Sequence, residues 1–248
     1  VWGYLSLEHG QLFGSLANPG HQVAFRFRAT TGDLSQQLTE STTLFALDAE
    51  KGDLRWRFDA KHSIRHNAIA VGDDQVFLID RPLAIFDRKK EAPKETQPGG
   101  DLIALDARTG QERWRSAQTV EGTTLSLSPE YRRLVVSYQP TRFALASEAG
   151  TKLAVFSTVK GEKIWEKDTK YSSRPLINDY TVYAQGGAWD LLSGESRPFN
   201  FSRSYGCGVL AGSRHMMVYR SATLGYFDLT KNERTENFGG IRPGCWLN

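Results

Sequence analysis

Short apolar runs, each closed by a tight turn, recur along the chain. Leu102-Ile-Ala-Leu105 is apolar, Asp106-Ala-Arg-Thr-Gly110 is turn material, and a polar strand carrying Trp114 follows. The same order returns in Leu44-Phe-Ala-Leu-Asp-Ala-Glu-Lys-Gly-Asp-Leu-Arg-Trp56 and in Leu153-Ala-Val-Phe-Ser-Thr-Val-Lys-Gly-Glu-Lys-Ile-Trp165. In all three copies the Trp follows the Gly by four residues: Gly52/Trp56, Gly110/Trp114 and Gly161/Trp165. The Gly can adopt the positive φ of such a turn, and the Asp carboxylate can accept from the turn's backbone N–H groups. Apolar and polar positions alternate within the segments, β-branched and aromatic residues dominate, and no window has a 3.6-residue apolar period. The pattern predicts an all-β chain with little or no helix.

Repeat spacing turns this pattern into an architecture. Gly52 and Gly110 are 58 residues apart, and Gly110 and Gly161 are 51 apart. A weaker copy, Ala188-Trp-Asp-Leu-Leu-Ser-Gly194, comes 33 residues later, and a fifth, Gly225-Tyr-Phe-Asp-Leu-Thr-Lys-Asn232, keeps the apolar-Asp-turn order without a Gly. Each unit, stripped of insertions, has four strand-like segments in about 35–40 residues, the signature of a propeller blade. Leading strand pairs are expected at Gly3–Leu7 with Gln11–Ser15, Asn67–Val71 with Val76–Ile79, and Thr124–Leu127 with Leu134–Tyr138. The remaining pairs are Pro175–Ile177 with Thr181–Ala184, and Gly208–Ala211 with His215–Arg220. Ile241-Arg-Pro-Gly-Cys-Trp-Leu-Asn248 reads as the start of a sixth unit. The expected fold is therefore a β-propeller of four-stranded antiparallel blades, about five visible plus the start of a sixth. It forms one domain over residues 1–248, part of a larger propeller, with long insertions at 17–41 and 81–100. A blade cannot bury both faces of its sheet alone, so Trp56, Trp114 and Trp165 are expected to fill the gaps between neighbours.

Composition narrows the function. Net charge is +3, from 31 Lys+Arg against 28 Asp+Glu, and there is no long basic run. Arg88-Lys-Lys90 sits beside Glu91 and Glu95 and reads as a solvated loop, so nucleic acid is not an expected partner. No apolar run approaches the ~18 residues of a membrane-spanning helix. Val1 begins inside a strand-like segment with no signal peptide before it, and both ends look cut from a longer protein. Two cysteines, Cys207 and Cys245, suit one disulfide or two free thiols but not a disulfide framework.

The repeat apolar-x-Ala-Leu-Asp-Ala-x-x-Gly-x-x-x-Trp resembles the tryptophan-docking motif of quinoprotein-type propellers. That family includes pyrroloquinoline quinone (PQQ) dehydrogenases and cofactor-free relatives such as an outer-membrane assembly lipoprotein. The match is strong at 44–56 and 102–114, fair at 153–165, and weak at 188–199 and 225–238. Tyr205-Gly-Cys-Gly208 and Asn237-Phe-Gly-Gly-Ile-Arg-Pro-Gly-Cys-Trp246 look like the closing part of large PQQ-like repeat proteins of environmental bacteria. The resemblance is specific for fold and implies a periplasmic or secreted protein.

The innermost strand of each blade lines a propeller's axis. Aligning the units places Trp2, His66, Thr123, Arg174, Cys207 and Cys245 at the mouths of those strands, with Arg65 and Arg242 close by. The ring is polar and mixed, as propeller mouths commonly are, and a ligand site near His66, Arg174 and Cys207 is the competing reading. A PQQ–Ca²⁺ site needs carboxylate and carbonyl oxygens around a hard cation. The ring offers no Asp or Glu, and the adjacent Cys-Cys pair that the resemblance associates with several dehydrogenases is absent from the sequence. Cys207 and Cys245 occupy matching positions one blade apart, which leaves open two thiols or a disulfide, with a metal pair behind.

Other histidine and glycine patterns carry little chemistry. His62 and His66 share one strand face about 13 Å apart, too far for a metal pair. His9 and His21 fall in turns or loops, and His215 starts a strand. Phe13-Gly-Ser-Leu-Ala17 lacks the strand-to-helix setting of a nucleophile elbow. Gly186-Gly187 and Gly239-Gly240 are strand-edge turns with no helix after them to make a phosphate loop. The expected function is a non-enzymatic, cofactor-free module that binds or scaffolds a protein partner or small ligand at the propeller face. One alternative is a PQQ-dependent oxidoreductase completed by sequence outside this chain. Another is small-ligand or carbohydrate binding at the mouth through Trp2, His66 and Arg174.

Overall fold

The computed structural model describes residues 2–18, 23–24, 36–37, 40–82, 99–138, 152–204 and 210–242, and all regular structure among them is strand. The first blade comprises β1 (Trp2–Glu8), β2 (Gln11–Ala17), β5 (Glu40–Asp48) and the first part of β6 (Leu54–Gly72). Between β2 and β5, β3 (Val23–Ala24) and β4 (Gln36–Gln37) form a two-rung ladder inside the first insertion. The second blade takes the rest of β6 with β7 (Gln75–Asp80), β8 (Asp101–Asp106) and β9 (Glu112–Arg115). Three separate four-stranded antiparallel sheets follow. They are β10 (Thr124–Ser128) to β13 (Lys163–Asp168), with β11 (Arg133–Ser137) and β12 (Lys152–Ser157) between; β14 (Leu176–Asn178), β15 (Thr181–Ala184), β16 (Gly187–Asp190) and β17 (Ser196–Arg197); and β18 (Ala211–Gly212), β19 (Met216–Ser221), β20 (Thr223–Asp228) and β21 (Thr235–Phe238). This is the expected β-propeller arrangement, with the innermost strands β1, β6, β10, β14 and β18 each touching the next. The proposed start of a sixth unit lies almost wholly outside the described residues, as does most of both insertions.

One element differs from the sequence expectation. The expected strands leave a gap between the hairpin that carries Trp56 and the strand that starts at Asn67, but β6 runs unbroken and joins the first two blades into one seven-stranded sheet. No Gly or Pro interrupts residues 54–71. The ladder nevertheless skips between Asp59, paired with Thr43, and Ile64, paired with Ser41. The backbone N–H groups of Lys61, His62 and Ser63 in this bulge all donate to the buried Asp80 carboxylate, at 2.7, 2.9 and 3.1 Å. A carboxylate at the end of β7 thus replaces the missing strand partner.

The turns repeat one geometry. The residue four past the last strand position donates its N–H back to that position's carbonyl in every blade: Gly52 to Asp48, Gly110 to Asp106, Gly161 to Ser157, Gly194 to Asp190 and Asn232 to Asp228, at 2.8–3.0 Å. The four glycines have φ between +70° and +76°, and Asn232, the residue without an expected Gly, takes φ +50° in their place. Asn tolerates this left-handed region better than most residues, which is why the fifth turn survives. Asp106 Oδ1 also accepts from the N–H groups of Arg108 and Thr109, and its other oxygen pairs with Arg113. The Arg113 guanidinium and these donors hold the Asp106 carboxyl down at about 2, against an ordinary 3.8. Asp190 sits equally low although partial burial opposes the shift, because Arg197 and two backbone N–H groups outweigh it. A depressed carboxylate stabilises the fold above its unfolded value and loses that contribution as pH falls through the folded value. Asp106→Asn and Asp190→Asn should therefore flatten the acid limb of a stability-versus-pH profile between pH 3.8 and about 2. Urea titrations across that range check it.

The core lies between blades. The Trp56, Trp114 and Trp165 indoles donate to the carbonyls of Ala107, Thr158 and Leu191, at 2.8, 2.9 and 2.9 Å, each in the turn of the following blade. Their rings cover that blade's turn glycine so closely that a Cβ on Gly110, Gly161 or Gly194 would come within 2.6, 2.4 or 2.8 Å of an indole atom. Pro198 stands at the Trp spacing after Gly194, and the junction of the fourth and fifth blades changes accordingly. There Asn232 Nδ2 donates to Pro198 O, Asn200 Nδ2 donates to Asn232 O, and Phe199, Phe201, Tyr219 and Phe227 stack and edge together.

Candidate functional site at the propeller mouth

Four of the six expected mouth residues lie among the described residues. His66 starts the second blade's inward run, and its ring lies against the first blade's Gly3, where a Cβ would stand 2.0 Å from Nε2. That Nε2 is 2.9 Å from Ser41 Oγ, and Ser41 Oγ donates to Ser15 Oγ at 2.8 Å. The two serines are fully buried, so the chain of polar atoms stitches β2, β5 and β6 together. Burial pushes the His66 imidazole below its ordinary 6.5, opposed by a hydrogen bond to the Glu40 backbone. A histidine depressed in the fold stabilises above its unfolded pKa and loses that contribution as pH falls through the lower folded value. Native protein should lose stability as pH drops below 6.5, and His66→Gln should lack that segment of the profile.

Arg174, just before β14, reaches back to the third blade, where its guanidinium donates to Leu125 O at 2.9 Å. Burial lowers its pKa, and its charge in turn favours ionised Tyr4, whose own pKa burial raises. Tyr4 belongs to β1, so the first and fourth blades bring side chains within electrostatic reach of each other. Thr123 is buried at the entry to β10, its N–H donating to Ser137 O at 2.9 Å. Trp2 is half exposed and meets Phe45 edge-on at 5.7 Å. Cys207 and Cys245 lie outside the described residues. Arg242 is exposed, whereas Arg65 is buried 3.6 Å from the fully buried Glu40.

Sequence reasoning missed three buried charges beside this ring. Glu40 was placed inside an insertion but opens β5 opposite Arg65. Asp80 closes the β6 bulge. Arg81, read as the first residue of a polar insertion, is fully buried and donates from Nη1 to Gly122 O at 2.8 Å, next to Thr123. Their partners stand 17 to 41 residues away, so no local pattern announces them. Among the described residues, no group of three or more His, Cys, Asp or Glu side chains could hold a metal ion. His62 is exposed and His66 half-buried along one strand. At the opposite ends of the inner strands, a groove of about 660 Å³ opens at the junction that lacks a Trp, lined by Tyr180, Tyr183, Arg197, Arg214, His215 and Leu229 among others.

Comparison with known proteins decides the family. A family profile described as outer membrane protein assembly factor BamB, a PQQ-like repeat family, matches residues 6–228. The chain belongs to this PQQ-like family. It is also similar to methanol dehydrogenase [cytochrome c] subunit 1 of Paracoccus denitrificans, 28% identical over 135 residues that cover 50% of this chain and 20% of that one. Among solved structures, a computationally designed protein, Ika8, aligns with TM-score 0.57 and 13% identity over 98% of this chain and 63% of its own. A europium-containing methanol dehydrogenase aligns with TM-score 0.52 and 10% identity over 95% of this chain and 50% of its own. At such identities these structures report the fold alone, and the chain spans about half to two thirds of their length. Among the described residues, no helix is long and apolar enough to cross a membrane.

Proposed function

We propose that this PQQ-like propeller is a non-enzymatic binding or scaffolding module that works without a cofactor, outside the cytoplasm. The observation that carries the reading is the engagement of the polar groups around the mouth. His66 is held by Ser41, Arg174 by Leu125 O, Arg81 by Gly122 O, and Glu40 faces Arg65. These groups tie one blade or strand to another, which suits a rigid platform better than proton transfer. The connections β2–β5, β7–β8 and β11–β12 all leave from the mouth end of the first three blades. Long connections on one face suit contact with a protein partner or small ligand there. The family's description as an outer membrane assembly factor supports an extracytoplasmic setting.

The similarity to a methanol dehydrogenase subunit favours a second reading, a PQQ-dependent oxidoreductase. The residues described do not fit that cofactor. Ca²⁺ beside the quinone requires carboxylate oxygens, and both buried carboxylates near the ring are engaged, Glu40 facing Arg65 and Asp80 with three backbone N–H groups. Mixing the protein with PQQ and CaCl₂ separates the readings. The module reading expects no saturable quinone absorbance and no alcohol-dependent dye reduction, and either signal overturns it.

A further inference from the structure

We propose that the groove between the fourth and fifth blades, at the end of the propeller opposite the mouth, is a saccharide-binding site. It lies apart from the mouth and stands whichever partner the mouth takes. Pro198 occupies the position that supplies an indole at the three preceding junctions. The interior of this junction is filled instead by Phe199 and Phe201, which stack on each other and meet Tyr183 and Phe227. Outside that aromatic cluster about 660 Å³ stays open, within the roughly 300–1,000 Å³ of small-ligand clefts. The whole lining of the groove lies among the described residues.

Two turns make its walls. Asp179 and Tyr180 join β14 to β15, and Ser213, Arg214 and His215 join β18 to β19. Hydrogen bonds tie these turns to each other and to the outer turns. Asn178 Nδ2 donates to Arg214 O at 2.9 Å, Leu191 N–H to Tyr180 O at 2.8 Å, and Leu229 N–H to His215 O at 2.9 Å. The groove is thus held open by backbone contacts, so little ordering entropy opposes a ligand entering it. Tyr180 is 41% exposed, and its ring centroid lies 4.3 Å from the guanidinium carbon of Arg197, which Asp190 holds in turn. A tyrosine fixed in this way offers an apolar ring with a polar tip at the edge of the groove.

The polar groups select the ligand class. The side chains of Glu130, Arg214 and His215 are exposed and make no hydrogen bond or ion pair among the described residues. Asp179 adds a second carboxylate, which accepts from the Tyr131 hydroxyl. An anionic ligand would meet Glu130 and Asp179, and a cationic one would meet Arg197 and Arg214. A neutral ligand whose groups both donate and accept avoids either repulsion. Sugar hydroxyls donate to carboxylates and accept from guanidinium and imidazole N–H groups. The C–H face of a pyranose ring covers a tyrosine ring without stripping water from a charge. Glu130, Asp179, Arg214 and His215 around Tyr180 meet both requirements.

The probes are maltotriose, cellotriose and N-acetylchitotriose, each titrated into the ¹⁵N-labelled protein. At least one should shift the amides of Tyr180, Thr181, His215 and Thr230 saturably, with the mouth amides of Thr123 and Arg174 unmoved. Inorganic phosphate should leave all of these in place. Tyr180→Ala and Arg214→Ala should each weaken the sugar at least tenfold. Both side chains are exposed, and unchanged Gly110 and Gly161 amides will show that the variants keep their fold. Arg214→Ala removes a side chain that holds no other residue, so it tests the groove even where Tyr180→Ala disturbs Arg197. Unmoved groove amides with all three sugars overturn the proposal, as does native affinity in both variants. So do sugar shifts confined to Thr123 and Arg174, which would place the sugar at the mouth. Saturable shifts of the groove amides by phosphate also overturn it, because the groove would then be an anion site.

Discussion

Replacing Trp56 by Ala should lower unfolding free energy by about 3–5 kcal/mol, the cost of removing a large buried aromatic. The ring is 7% exposed, lies between Phe13 of its own blade and Gly110 of the next, and belongs to the cluster that joins the first two blades. Its loss opens a cavity that backbone on both sides prevents from collapsing. Trp56→Phe separates the two contributions. It keeps most of the apolar contact but leaves Ala107 O without its indole donor, and should cost about 1–2 kcal/mol. Urea unfolding of both variants reads the difference. A Trp56→Ala cost within about 0.5 kcal/mol, the range of ordinary surface changes, would show that the indole does not join the blades.

Asp80→Ala is the second large effect, about 3 kcal/mol or more, since hydrogen bonds to a charged group contribute roughly 1.5–3 kcal/mol each and are not additive. The carboxylate is 2% exposed and takes three consecutive N–H groups from the β6 bulge. Without it those donors face a buried site with no strand opposite. Asp80→Asn should fall between, because one oxygen still accepts from His62 and Ser63 while the amide nitrogen turns a donor towards Lys61. Amide exchange localises the effect: Lys61, His62 and Ser63 should lose protection before the ladders of the third to fifth blades. Uniform loss across all blades would contradict the role assigned to Asp80.

The blades were legible because their determinants are local. A turn Gly and a Trp four residues later announce both the hairpin and the surface it presents, and alternation within Leu102–Leu105 or Leu153–Phe156 marks the strand before it. The fifth turn was half legible: Asp228 showed it, but Asn232 replaces Gly by a backbone tolerance that composition does not advertise. The continuity of β6 was not legible, because the bulge at Lys61–Ser63 depends on a carboxylate at position 80. The chemistry around the expected mouth was not legible. His66, Thr123 and Arg174 were assigned to inner-strand entries from blade alignment. Their partners Ser41, Ser137 and Leu125 are set by cross-strand and cross-blade register, and the buried charges of Glu40, Asp80 and Arg81 pair over the same long separations.

The claim that indole and turn glycine lock blade to blade is tested most directly by one pair of variants, Gly110→Ala and Gly52→Ala. Both positions have nearly the same backbone, φ +72° and +76°, so both should incur about 1 kcal/mol of strain. Among the described residues, only at Gly110 does the new methyl meet an indole, at 2.6 Å, which should add a further 1–3 kcal/mol or so of overpacking. Gly110→Ala should therefore be clearly the more destabilising in urea unfolding, and its Trp56 emission should shift to the red. Equal losses at the two positions, with Trp56 emission unchanged, would contradict it.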